Sequence, residues 1–227
     1  MEFEVRCKAA IEKRGRFAVA LSGGSTPYAM FELIASPEFS DLVAWSDVHA
    51  FWGDERCVPP DDERSNYGAA HEALLRKVTI PDGNVHRMAG ELDPHLAASA
   101  YREELERFFG DAMPRFDLVY LGVGPDGHTA SIFPHTGVVD VTDLSCVANH
   151  VPSAIPVPWR LTLTFPAFNA ARAVIFLVAG EAKAGIVADV LEGAVEPIRL
   201  PAQGVRPERG ELVWMLDRAA ACRLKSL

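Results

Sequence analysis

The sequence predicts an α/β fold: a doubly wound, mainly parallel sheet flanked by helices, with a small accessory lobe. Three observations lead there. Short, continuous apolar runs recur at 17–21, 48–52, 116–121, 173–178 and 212–216, and runs without polar alternation suit strands covered on both faces. Segments of helical periodicity lie between them, and repeated strand–helix–strand order favours parallel pairing. The chemically unusual residues follow the strand ends, where sheets of this class hold ligands.

The first strand is Phe17-Ala18-Val19-Ala20-Leu21. It stops at Ser22-Gly23-Gly24 and passes into a helix whose first turn Pro27 suits. The second strand, Val48-His49-Ala50-Phe51-Trp52, runs straight into Gly53-Asp54-Glu55-Arg56. Helical patterns follow at 66–75 and 96–109, the latter with Leu96, Ala100, Leu105 and Phe108 on one face. The third strand, 116–121, ends in a glycine-rich loop. The segment 152–158 carries three prolines and is expected to be a stiff surface loop. Strand 173–178, helix 181–191 and strand 212–216 close the series.

The 227 residues, 49% hydrophobic and 23% charged, fit one domain spanning 1–227 with a substantial core. No internal repeat or low-complexity linker divides it. No apolar run approaches the roughly 20 residues that span a bilayer. The acidic start Met1-Glu2-Phe3-Glu4 lacks a basic segment followed by an apolar one, so a cytoplasmic protein without a signal peptide is expected. A net charge of −9 argues against a nucleic-acid surface. It leaves room for a small anion held by local cations and backbone amides. Cys7, Cys57, Cys146 and Cys222 form no CxxC pair, which argues against a zinc site or disulfide framework.

Three clusters carry chemistry. In Ser22-Gly23-Gly24-Ser25-Thr26-Pro27, two glycines permit a sharp turn and close backbone approach. Ser25 and Thr26 add hydroxyls, and the following helix presents free N–H groups to an anion. No Gly-Lys-Ser/Thr follows, so this is not a Walker loop. The pattern favours phosphate binding over a plain capped turn. In Gly53-Asp54-Glu55-Arg56, three charges directly after a buried strand are placed to meet a ligand. Arg56 suits a phosphate or developing oxyanion and Asp54 can position a donor. The residues alone do not separate that from a solvated turn.

The third cluster, Gly122-Val123-Gly124-Pro125-Asp126-Gly127-His128-Thr129-Ala130-Ser131, contains GxGxxG in spelling. A dinucleotide site is rejected, because Asp126 would put a carboxylate where the pyrophosphate should lie and Pro134 allows only a short following helix. What remains is a histidine with an aspartate two residues before it. Histidine titrates near neutrality and can act as general base toward water, and a carboxylate can orient its ring. His128 and Asp126 are therefore the candidate base and its partner. The other six histidines have no comparable setting. Arg160, after the proline-rich loop, and Lys183, in the first turn of a helix whose dipole disfavours a cation, are candidate anion ligands. An exposed lysine is an equal reading of Lys183 on its own.

Together these segments resemble the 6-phosphogluconolactonase family, related to the glucosamine-6-phosphate deaminases. The matching stretches are Leu21 to Pro27, Trp52 to Arg56, Gly122 to Pro134, Arg160 to Thr164 and Gly180 to Lys183. The resemblance implies a Rossmann-like sheet of the NagB type. It also implies hydrolysis of 6-phospho-D-glucono-1,5-lactone to 6-phosphogluconate, the second step of the pentose phosphate pathway. His128, Asp126, Arg56 and Asp54 would be catalytic. Gly23, Gly24, Ser25, Thr26, Arg160 and Lys183 would hold the phosphate. Neither cofactor nor metal is expected. The partner is a small-molecule sugar phosphate, with no nucleic acid and no membrane, bound by a monomer or weak dimer. Ser22, Ser25 and Ser131 lie in no nucleophile elbow, which favours direct attack by water. The deaminases share Asp-Gly-His but continue toward a glutamate, where this chain has Thr129 to Pro134. A deaminase is thus the nearest alternative, and a non-catalytic sugar-phosphate sensor a more distant one. Family members carry a longer segment before the first glycine-rich loop. Only Met1 to Arg16 precede the strand in this chain, so either a missing strand or a truncated start is expected.

Overall fold

The computed structural model describes residues 2–110 and 113–225. The chain opens with helix α1 (Glu2–Arg14), which buries Phe3, Cys7 and Ala10 at helical spacing. Strand β1 (Phe17–Leu21) follows, then α2 (Ser25–Ile34), the single turn α3 (Pro37–Ser40), β2 (Val48–Trp52), β3 (Asp54–Arg56), α4 (Asn66–Ala73) and α5 (Pro94–Phe109). The second half comprises β4 (Leu118–Leu121), β5 (Cys146–His150), β6 (Trp159–Leu163), the short α6 (Phe165–Asn169), β7 (Ala173–Val178), α7 (Ala184–Glu192) and β8 (Glu211–Leu216).

Five strands form a wholly parallel sheet in the order β2-β1-β4-β7-β8. Every side chain of β1 and β4 is buried, which is why those sequences carry no polar alternation. The chain steps outward from β1 to β2 and then crosses to β4 on the other side. That split between β1 and β4 is the switch point at which sheets of this kind open a crevice. Rings of Phe51, Phe108, Phe109 and Phe116 pack edge-on or tilted beside β2. At the far edge Trp214 of β8 stacks on Phe176 with centroids 4.0 Å apart.

The accessory unit is a three-stranded antiparallel sheet, β3-β6-β5. Gly53 joins it to the parallel sheet. Its N–H donates to Leu21 O of β1 (2.9 Å) and its carbonyl accepts from Leu163 N of β6 (2.8 Å).

Two expectations are corrected. Leu96 and Ala100 do not face the core; Leu96 is 67% exposed. The buried face of α5 is Ala97, Ala98, Tyr101 and Leu105. Tyr101 sets that rotation, because its hydroxyl accepts from Trp52 N (3.0 Å) and lies 3.3 Å from Trp52 O at the end of β2. The second correction concerns Glu55, whose carboxylate is taken up by the protein itself, mostly at the start of α4. Its buried carboxylate accepts from the backbone N–H groups of Arg56 (2.7 Å), Asn66 (2.7 Å) and Tyr67 (2.8 Å), and from Ser65 Oγ (3.0 Å). It therefore satisfies the free N-terminal amides of α4, beside the Ser65 cap. Burial pushes the Glu55 carboxyl up from its ordinary value, opposed by those three amides.

A second polar cluster lies against β2. His86 Nδ1 is 2.8 Å from Glu104 Oε1, and its Nε2 is 3.1 Å from His49 Nδ1. Burial, with His86 and Arg16 nearby and Asp47 opposing, lowers His49 from 6.5 to about 4.

Two stability predictions follow from these contacts. Glu55→Ala leaves four donors, three at the start of α4 and one in β3, without their acceptor and should cost about 3 kcal/mol, read as a lower urea midpoint. His49 binds a proton more readily unfolded than folded, so stability present above pH 6.5 is lost as pH falls toward 4. His49→Phe should flatten that part of the Tm–pH curve, by on the order of 1 kcal/mol after solvent screening.

Candidate active site

The switch point gathers the loops after β1 and β4. After β1, Gly24 takes φ +106° as the N-cap of α2, a conformation that L side chains rarely adopt. Ser25 and Thr26 form the first turn of α2, whose leading amides have no partner within the helix. Gly23 is required for space: a methyl there would sit 1.9 Å from Asn66 Oδ1.

The loop after β4 folds back on itself. Gly124 N–H donates to His128 O (2.8 Å), Gly127 N–H donates to Gly124 O (3.1 Å), and Gly127 has φ +83°. Thr129, fully buried, ties the loop down by donating its hydroxyl to Gly122 O at 2.8 Å. This holds the His128 ring directly over Gly124. A methyl on Gly124 would lie 2.1 Å from Nδ1 and Cε1. On its other side the ring stacks on Phe133, with centroids 4.1 Å apart.

His128 Nδ1 is 2.5 Å from Asp126 Oδ1, which also accepts the His128 backbone N–H at 3.2 Å. That contact makes Nδ1 the protonated nitrogen and leaves Nε2 as the basic one. Burial works to raise the Asp126 carboxyl, but the hydrogen bond and charge of His128 hold it below its ordinary value.

On the facing wall, the buried Asp54 accepts from Ser131 Oγ (2.8 Å) and from Asn66 Nδ2 (3.2 Å). Arg56 Nη1 donates to Arg64 O at 2.6 Å. Arg160 stands opposite Arg56 in the β3–β6 pair, and its Nη1 is buried with no partner among the described residues. Burial and the neighbouring Arg56 charge lower the Arg160 guanidinium from its ordinary value. Lys183 closes a 3-10 turn before α7. Its Nζ donates to Val123 O at 2.9 Å, leaving two ammonium hydrogens.

These residues enclose a cavity of about 230 Å³, suited to a small ligand. Gly23, Gly24, Asp54, Arg56, His128 and Lys183 line it. Asp126, bonded to His128, and Arg160, across the β3–β6 pair from Arg56, are outside the lining; Ser25 and Thr26 continue from Gly24 into α2. Four larger hollows, of about 670, 660, 530 and 460 Å³, contain none of the candidate site residues. Sequence reasoning missed Asn66, which lines the cavity, and gave Ser131 no role beyond that of a rejected nucleophile. Asn66 stands in no recognisable motif and Ser131 only closes the histidine motif; contact with Asp54 reveals the part each plays. Among the described residues, no group of three His, Cys, Asp or Glu side chains is placed to hold a metal ion, and no helix is long and apolar enough to cross a membrane.

Comparison with known proteins agrees with this geometry. Residues 1–214 match the family described as glucosamine-6-phosphate isomerases/6-phosphogluconolactonase. The chain is 41% identical over 220 residues to a 6-phosphogluconolactonase of Nostoc sp., covering 95% of this chain and 88% of that one. It is 40% identical over 228 residues to one of Mycobacterium tuberculosis, covering 96% and 89%. The solved 6-phosphogluconolactonase from Trypanosoma cruzi superposes with a TM-score of 0.86 at 29% identity, over 99% of this chain and 90% of that one. A monomeric glucosamine-6-phosphate deaminase superposes with a TM-score of 0.78 at 20% identity, over 97% and 94%, a likeness of fold alone. With His128, Arg56 and Lys183 around one switch-point cavity and this match along nearly its whole length, the chain belongs to the glucosamine-6-phosphate isomerase/6-phosphogluconolactonase family.

Proposed function

We propose that the chain is an enzyme that hydrolyses 6-phospho-D-glucono-1,5-lactone to 6-phospho-D-gluconate, in the pentose phosphate pathway. The reading rests on the sequence relatives and, for the chemistry, on one observation. His128 is oriented through Nδ1 by Asp126, with no hydrogen bond to its basic nitrogen among the described residues, at a cavity also lined by the cationic side chains of Arg56 and Lys183.

His128 takes a proton from water as the water oxygen bonds to the lactone carbonyl carbon. Arg56 stabilises the oxyanion that forms. The bond from that carbon to the ring oxygen then breaks, and the His128 imidazolium returns its proton to the departing oxygen. The product carries a new hydroxyl and a carboxylic acid, which ionises to the carboxylate as its proton passes to solvent. Asp126 keeps the ring in the productive tautomer and stabilises the imidazolium. Gly23, Gly24 and the leading amides of α2 bind the 6-phosphate, together with Lys183, while Arg160, outside the lining, adds its positive charge beside Arg56. Two of the nearby serines are engaged elsewhere: Ser131 Oγ donates to Asp54 and Ser22 Oγ to Gly23 O. That favours water over an acyl-enzyme. The enzyme acts in the cytoplasm as a monomer or weak dimer.

The test follows lactone hydrolysis against the spontaneous background. His128→Ala should lower kcat about 10²–10⁴-fold, and undiminished turnover would overturn the mechanism. Gly124→Ala, which changes no charge, should also lower kcat by displacing the imidazole, while leaving far-ultraviolet circular dichroism unchanged. Lys183→Ala should reduce kcat/KM roughly 10–100-fold, as expected for a lost charge-assisted hydrogen bond. Unchanged kcat and KM would remove Lys183 from the phosphate site.

A further inference from the structure

Asn66 is the first residue of α4 and 3% exposed, yet it lines the cavity. Its amide nitrogen donates to Asp54 O at 2.9 Å and to Asp54 Oδ1 at 3.2 Å. An amide nitrogen has two hydrogens, and both acceptors belong to Asp54. The opposite rotamer would turn the amide oxygen toward a carbonyl and a carboxylate, so chemistry fixes the orientation. The Asn66 backbone is fixed as well, by its N–H to Glu55. The amide oxygen is thus committed to one direction. It lies over Gly23, at the place a methyl group would occupy. No hydrogen bond reaches Oδ1 among the described residues, although it is not one of the buried orphaned atoms.

A preoriented acceptor with no donor, set between the glycine turn and the Asp54 carboxylate, calls for a hydroxyl from the ligand. We infer that Asn66 Oδ1 accepts a hydrogen bond from a ring hydroxyl of the substrate, making Asn66 a specificity-determining residue that touches substrate. The inference rests on the lactonase reading above. Phosphate at the glycine turn and carbonyl at His128 place the C2, C3 and C4 hydroxyls between them, and one of these is the donor. The two ends of the amide then do separate things: Nδ2 holds Asp54, and Oδ1 reads the sugar.

The experiment compares kcat/KM on the parent lactone and on the lactones lacking the C2, C3 or C4 hydroxyl, for wild type, Asn66→Ala and Asn66→Asp. In wild type, one deoxy lactone should be poorer by roughly 3–10-fold beyond the others, the worth of one hydrogen bond. Asn66→Ala should lose most of that preference. Asn66→Asp, which keeps an acceptor but gives up both donors to Asp54, should be slower on every substrate yet keep the preference. Equal wild-type rates on all four lactones would overturn the inference without any variant. So would a parallel loss on all four in Asn66→Ala, which is what a residue that merely holds Asp54 would give. Absence of wild-type hydrolysis would instead overturn the lactonase reading on which the inference stands.

Discussion

The reversal of strand order between β1 and β4 is the constraint on which the rest depends. Both strands are buried on each face, so neither can offer a side chain to solvent along its length. Chemistry is displaced to the ends, where the chains must turn away and leave a crevice. The two turns solve the same steric problem in opposite ways. After β1, glycines bring bare backbone to the cavity; after β4, they make room for a ring. Gly124 keeps the position above it empty, and the imidazole fills it.

Two adjacent carboxylates show how a three-residue strand divides its labour. Asp54 and Glu55 alternate across β3, so one faces the cavity and the other faces α4. Glu55 holds down the start of α4, which fixes the Asn66 backbone. The Asn66 side chain in turn holds Asp54. Local stability and site geometry are therefore coupled through neighbours in sequence that point opposite ways. Asp54 also receives the Ser131 hydroxyl, which ties this wall to the end of the histidine loop.

Much of this was legible in the residues. Runs such as Ala173 to Val178 carry so little polar content that only a doubly covered strand accommodates them, and that strand has those bounds. The glycine turns and His128 stood out because their residue types are costly anywhere else. The antiparallel sheet was not foreseen. Its strands are short, β5 does not alternate, and β3 looks like a charged turn. Its pairing depends on partners far along the chain, such as Asp54 with Thr162. The buried face of α5 is not encoded by aliphatic spacing, because the Tyr101 hydroxyl bonds the end of β2 while Leu96 is left exposed. Asn66 was invisible for a related reason: its meaning lies in which atoms surround it, and no spacing encodes that.

The antiparallel pairing of β3 with β6 also bears on how the protein is made. Asp54 and Arg56 emerge early in synthesis, whereas Thr162, Arg160 and finally Lys183 come much later. At about 5–20 residues per second, β3 waits several seconds for its partner strand. The sheet neighbours β1 and β2 are available almost at once, but the wall of the cavity is closed by contacts of long sequence separation, which form slowly. During that interval Gly53 is the branch at which a finished fragment of parallel sheet meets an unpaired edge. A nascent chain stopped before residue 159 would thus contain the histidine loop and the glycine turn, while the facing wall would still lack the strand that holds it in place.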